Sequence, residues 1–186
     1  VNMISEKYNA KTILEGFADN PFLPKFYKNP ERYSFPLELS FLAERYNQLK
    51  RELYSKDIFK SFFIADYYFM KSLIFAQSTL GEDEYSLYRQ LFNIIYLQLP
   101  KPDLYVYLHA DVDILLENIK KRGRSYESEI SANYLSSIQK GYFDFFKQQK
   151  DQTFLILDTT GIDFVNNKIH FEMVSRMILD KEYSPG

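Results

Sequence analysis

Residues 153–158 read TFLILD and residues 61–66 read SFFIAD. Each is a short apolar run closed by an aspartate, and neither alternates between apolar and polar positions. Alternation marks a strand with one wet face. A continuous run marks a strand covered on both faces, the pattern of a parallel sheet. KTILE at 11–15 and LYVYLH at 104–109 share it. Between these runs lie segments with helical spacing, among them 30–53, 67–80, 83–99, 111–122 and 131–149. Alternating strands and helices predict an α/β fold with a parallel sheet. Asn29 is suited to cap the 30–53 helix, and Pro30 to open it. Pro36 removes a backbone donor inside it, so a kink is expected there.

The length, 186 residues, suits one domain with a sizeable core, and no linker or repeat divides it. A hydrophobic fraction of 46% argues against disorder, and a net charge of -2 argues against a bulk nucleic-acid binder. With no cysteine, disulfides, thiolate catalysis and cysteine-ligated metals are excluded. The only histidines are His109 and His170, too few for a histidine-rich metal site. No apolar run reaches the length of a membrane span, and no signal sequence opens the chain, so a cytoplasmic protein without a membrane partner is expected. The 16 Tyr and 17 Phe suit a deep core or a pocket for a flat ligand.

In a parallel α/β sheet, ligands gather beyond the carboxyl ends of the strands. Those ends offer Glu15, Asp66, His109 and Asp158. Three carboxylates there are a starting point for proton or metal chemistry. KKRGRSYE at 120–127 places Lys120, Lys121, Arg122 and Arg124 around Gly123. A basic loop of this kind suits closure over phosphates. One helix is odd: in SFPLELSFLAER (34–45), Glu38 and Arg45 share a face with Leu42 on an otherwise apolar segment.

Five segments in order, ADNPFLPKFYKNPERYSFPLELSFLAER (18–45), LIFAQSTLGEDEYSLYRQLF (73–92), PDLYVYLHAD (102–111), IKKRGRSYE (119–127) and DTTGIDFVNN (158–167), resemble the deoxynucleoside kinases, most closely the bacterial purine branch. The resemblance implies a P-loop kinase-like three-layer fold, usually homodimeric. It implies transfer of a phosphoryl group from ATP, with Mg²⁺, to the 5′-hydroxyl of a deoxynucleoside. Glu15 matches the carboxylate that takes the hydroxyl proton. Tyr27 and Glu127 match the pair that binds the sugar 3′-hydroxyl. Arg122 and Arg124 match the lid arginines, while a further lid arginine is Asn118 here. Asp163 and Phe164 match the loop whose backbone holds the donor adenine.

Glu38 stands where most relatives carry a glutamine that pairs with the base. An ionised glutamate only accepts hydrogen bonds. Guanine offers N1–H and a 2-amino group side by side, which adenine and cytosine do not. Arg45 matches a base-contacting arginine able to donate to guanine O6 or N7. Deoxyguanosine is therefore the expected acceptor, unless Glu38 and Arg45 merely form an ion pair with each other.

Two departures stand out. No G-x-x-x-x-G-K-[ST] is present, and the segment ADYYFMKS (65–72) lacks the family arginine. The strand preceding the phosphate loop is central in this fold, so the sequence is expected to begin inside a longer protein, with little activity as it stands. Fusion behind an upstream domain is one form this could take. Asp66 is the candidate carboxylate for Mg²⁺, Tyr67 takes the arginine position in one alignment, and Lys71 is placed to restore a positive charge or donate to the base. The alternatives are a non-catalytic nucleoside-binding or dimerisation module, and a nucleoside monophosphate kinase. The latter would need basic groups near Glu15 for an acceptor phosphate.

Overall fold

The computed structural model describes residues 1–16, 20–55, 58–124, 127, 130–149 and 152–180. They fall into two compact units, Val1–Pro100 and Lys101–Gly186.

The first unit runs α1 (Asn2–Tyr8), β1 (Lys11–Ile13), α2 (Leu23–Lys28), α3 (Pro30–Tyr54), β2 (Phe63–Ala65), α4 (Lys71–Thr79) and α5 (Glu82–Tyr96). Asn9 ends α1 in the left-handed conformation, φ 55°, which asparagine tolerates better than most residues. β1 and β2 pair in parallel, with Lys11 opposite Phe63 and Ile13 opposite Ala65. At the start of α3 the Asn29 side chain accepts from the Arg32 N–H at 3.3 Å, and Pro30 follows as expected. The helix continues through Pro36 as one element of 25 residues. Its buried face carries Ser34, Leu37, Glu38, Leu42, Arg45 and Leu49, the spacing of a single helical stripe. Two charged groups therefore lie inside. In the same unit Phe69, Phe92 and Tyr96 stack, with ring centroids 5.0 Å apart for the first two and 5.3 Å for the last two. Tyr88 is fully buried beside Phe92 in the same helix face.

The second unit runs β3 (Tyr105–His109), α6 (Val112–Arg122), α7 (Ala132–Gln148), β4 (Phe154–Asp158) and α8 (Lys168–Leu179). β3 and β4 are parallel and in register from Tyr105 opposite Phe154 to His109 opposite Asp158. Tyr107 packs on Tyr142, Phe143 and Phe146 of α7, and Phe154 packs on Phe145 and Phe146. Much of the aromatic load is thus core. Ser131 caps α7 and Asn167 caps α8 through their side-chain oxygens.

The parallel pairing expected of an α/β fold is present as two parallel pairs, and no described strand joins β1–β2 to β3–β4. One expectation needs correction. The strands are not covered on both faces: Phe63, Leu108 and Ile156 are each at least 40% exposed. A two-stranded pair has few neighbours to roof it. The basic stretch begins inside α6, in keeping with the helical spacing over 111–122. Lys120, Lys121 and Arg122 form the last turn of α6, where cations meet the negative end of the helix dipole. Gly123 closes that turn at φ 70°, a conformation that favours glycine.

The aromatic stack gives a direct test. Phe92→Ala should lower the urea-unfolding free energy by about 3–5 kcal/mol, the usual cost of emptying a buried aromatic site. A loss below about 1 kcal/mol would mean that the stack is not the core of its unit.

Candidate active site

Glu15 lies just beyond β1, at the strand end where the sequence placed a reacting carboxylate. Both its oxygens are held by cations. Arg45 Nε of α3 donates to Oε1 at 2.7 Å, and Lys71 Nζ of α4 donates to Oε2 at 2.6 Å. The Glu15 N–H donates to Asp66 Oδ1 at 2.8 Å, which ties the ends of β1 and β2 together. Arg45 is fixed from its other side by Ser72, whose fully buried hydroxyl accepts from Nη1 at 2.8 Å. Burial alone would raise the Glu15 pKa, but Lys71 and Arg45 outweigh it and hold the carboxyl below its ordinary value. Glu15 is therefore an ionised acceptor.

A second chain of bonds fixes the same strand end. Tyr67 Oη donates to Gln48 Oε1 at 2.7 Å, and Gln48 Nε2 donates to the Leu14 carbonyl at 2.7 Å. Tyr67, one candidate for the missing family arginine position, is thus a buried strut between β2, α3 and β1. Gln48 and Ser72 escaped the sequence reading. Their signal was weak: Gln48 is a polar residue one turn after Arg45, and Ser72 a small hydroxyl directly after Lys71.

Glu38 and Arg45 share the buried face of α3 but do not pair. Arg45 is committed to Glu15 and Ser72, and Glu38 Oε1 instead accepts from the Thr79 hydroxyl of α4 at 2.9 Å. The helix-face ion pair considered above is corrected accordingly. Arg45 thus faces the strand-end carboxylate, Glu15. Glu38 is only 4% exposed, and its Oε2 is buried with no partner. Burial pushes its pKa up to about 7, against the weaker opposing pull of Thr79, Arg45 and Lys71. An unpaired buried carboxylate oxygen is costly unless a ligand completes it.

Lys71, one of the groups the sequence offered for a positive charge here, brings its ammonium to Glu15. Among the described residues, no group of three acidic or histidine side chains could hold a metal ion. Asp66, the expected Mg²⁺ carboxylate, is exposed at the end of β2 and accepts the Glu15 N–H through Oδ1.

In the second unit, Arg122, Arg124 and Glu127 come together. Glu127 is buried, and its Oε2 accepts from Arg122 Nε at 2.9 Å and Nη2 at 2.6 Å. Its Oε1 accepts from Arg124 Nη1 at 3.2 Å. Tyr27, its expected partner at the sugar, belongs to α2 of the first unit. Asp163 shapes the turn before α8. Its Oδ1 accepts from the backbone of Val165 and Asn166, which lowers its pKa, with the Asn166 backbone the largest cause. Its own N–H donates to His170 Nδ1 at 3.0 Å, and its carbonyl accepts from Asn167 at 3.1 Å. The Asp163 backbone is therefore engaged internally, and Phe164 beside it is half-buried. His109 and Asp158 end their strands as expected; the His109 Nδ1 is buried without a partner.

The deoxynucleoside kinase family model matches residues 1–182. The deoxyguanosine kinase of Bacillus subtilis (strain 168) is 37% identical over 179 residues, 93% of this chain and 86% of that one. The deoxyadenosine/deoxycytidine kinase of the same organism is 29% identical over 181 residues, 92% of this chain and 81% of that one. Among solved structures, deoxyadenosine kinase from M. mycoides with bound dCTP superposes with a TM-score of 0.79 at 25% identity, covering 97% of this chain and 91% of that one. The expected α/β kinase fold is borne out by that likeness.

The environment of Glu38 carries a pH signature. A carboxyl raised from 4.5 to about 7 binds its proton more tightly in the folded state. Its contribution to stability is complete below about pH 4.5 and is lost as pH rises to about 7, a change of about 3 kcal/mol. Glu38→Gln should remove that decline, so the variant gains on the wild type between pH 4.5 and 8 in urea unfolding. Parallel curves for the two proteins would show that Glu38 is not a buried acid.

Proposed function

Because the chain belongs to the deoxynucleoside kinase family, we propose that it transfers the γ-phosphoryl group of ATP to the 5′-hydroxyl of a purine deoxynucleoside, with deoxyguanosine preferred. The observation that carries the base preference is the buried, unpartnered Oε2 of Glu38 beside its Thr79-bonded Oε1. A base edge with two adjacent N–H donors completes both oxygens of the carboxylate; guanine and hypoxanthine are closest to that pattern. The B. subtilis relative named deoxyguanosine kinase supports the same reading.

Glu15 takes the proton of the 5′-hydroxyl. Its lowered pKa makes it a weak base, which suits a loose phosphoryl-transfer transition state in which the hydroxyl needs little deprotonation before attack. Arg45 and Lys71 hold its oxygens in place and keep it ionised. Asp66 would hold Mg²⁺, which neutralises phosphate charge when bound. Arg122 and Arg124 serve the transferring phosphoryl group, as planar guanidinium groups suited to phosphate oxygens. Tyr27 and Glu127 bind the 3′-hydroxyl, and Asp163 with Phe164 borders the donor adenine.

A homodimer accompanies this reading. Leu87, Leu91 and Ile94 on the outward side of α5, with Leu97 just after it, recur every three or four residues and are 49%, 37%, 62% and 86% exposed. A second copy of the same chain would cover such a stripe. The paired substitution Leu91→Glu with Ile94→Glu should yield a monomer by sedimentation, and an unchanged mass would place the interface elsewhere.

The substrate reading is tested by steady-state phosphorylation of the four deoxynucleosides by the full-length protein. Deoxyguanosine should give the highest kcat/KM, and Arg122→Ala should lower kcat by at least about 100-fold. A higher kcat/KM for any of the other three, or no transfer to any of the four, would overturn it.

A further inference from the structure

Thr79 Oγ1 lies 2.9 Å from Glu38 Oε1 and 3.0 Å from the Phe75 carbonyl. A hydroxyl has one hydrogen, so it donates to one of these oxygens at a time. When it faces Glu38, Oε1 is fixed as an acceptor. The only other position for a proton on that carboxyl is Oε2, which is buried and touches no partner. We propose that Thr79 makes Glu38 a two-state purine reader: with Oε2 bare it accepts twice, from guanine, and with Oε2 protonated it accepts and donates, to adenine. In the second state Oε2–H donates to adenine N1, and Oε1 accepts from the 6-amino group. A protonated glutamic acid then mimics the amide that stands at this position in most relatives. The proton is exchanged with solvent, and no bond to the nucleoside is made or broken. This inference rests on Glu38 facing the base.

The charged and titratable groups around Glu38 come from each element packed on it. Arg45 shares α3, Lys71 and Thr79 come from α4, and Tyr88 of α5 points its hydroxyl at the Glu38 backbone carbonyl, 3.4 Å away. Both cations are occupied by Glu15. Burial therefore dominates, and it brings the carboxyl close to neutrality at ordinary pH.

Calorimetric binding of deoxyguanosine and deoxyadenosine needs no phosphate donor. Repeated near neutral pH in buffers of different ionisation enthalpy, it counts the protons exchanged. Deoxyguanosine should release protons and deoxyadenosine should take them up. Their affinity ratio should rise toward deoxyguanosine by up to about tenfold per pH unit through the titration. Glu38→Gln should abolish both effects while still binding deoxyadenosine. Thr79→Val should move the crossover to higher pH, because the carboxylate loses a charge-assisted donor. Binding of both purines with no proton exchange, or with the same sign, would overturn the switch and leave the kinase reading intact. Failure of both purines to bind would overturn the purine reading itself, and the switch with it.

Discussion

Glu15, Arg45 and Lys71 make the interaction on which the first unit depends. One carboxylate receives a guanidinium from α3 and an ammonium from α4 at the end of β1. Taking three charges out of water is expensive, and removing one partner strands the others. The surrounding design answers that cost. Ser72 takes a second guanidinium hydrogen, and Asp66 takes the Glu15 N–H. The Tyr67–Gln48–Leu14 chain then pins the strand end from the other side. A strand of three residues gains little from its own ladder, so the position of Glu15 is set largely by these side-chain bonds.

Much of this was legible from the sequence, for identifiable reasons. The four apolar runs named the four strands of the described residues, and Asn29 with Pro30 named the start of their longest helix, because both signals are local. Glu38 and Arg45 were legible as buried polar exceptions on one helix face. Their partners were not. A seven-residue spacing made their mutual pairing plausible, but Glu15 and Thr79 reach them from distant segments, and distance along the chain hides such contacts. The same limit applies to Lys71, whose charge was visible but whose target was not. Coverage of the strands was misread because a continuous apolar run reports composition, whereas burial depends on how many neighbours a pair of strands has. The roles assigned through family resemblance remain a proposal built on these placements.

The second unit shows a related economy of charge. Arg122 and Arg124 converge on one buried carboxylate, Glu127, with three donors between them. Two cations and one anion leave a net positive charge at the end of α6, where the helix dipole also favours cations. The guanidinium groups are thus held in defined positions by the protein's own carboxylate. That lowers the entropy lost when they engage a ligand.

Helix α3 also sets a length. Glu38 and Arg45 are seven residues apart on one face, two turns of helix, or about 10 Å along its axis. One end of that interval holds the unpaired oxygen proposed to meet the base. The other end holds, through Arg45, the carboxylate proposed to meet the 5′-hydroxyl. On that proposal the helix is a rod spanning the two ends of the substrate and would act as a gauge. It would sort ligands by the distance from base edge to reacting oxygen as well as by hydrogen-bond pattern, and a smaller base that satisfied one end would stand away from the other.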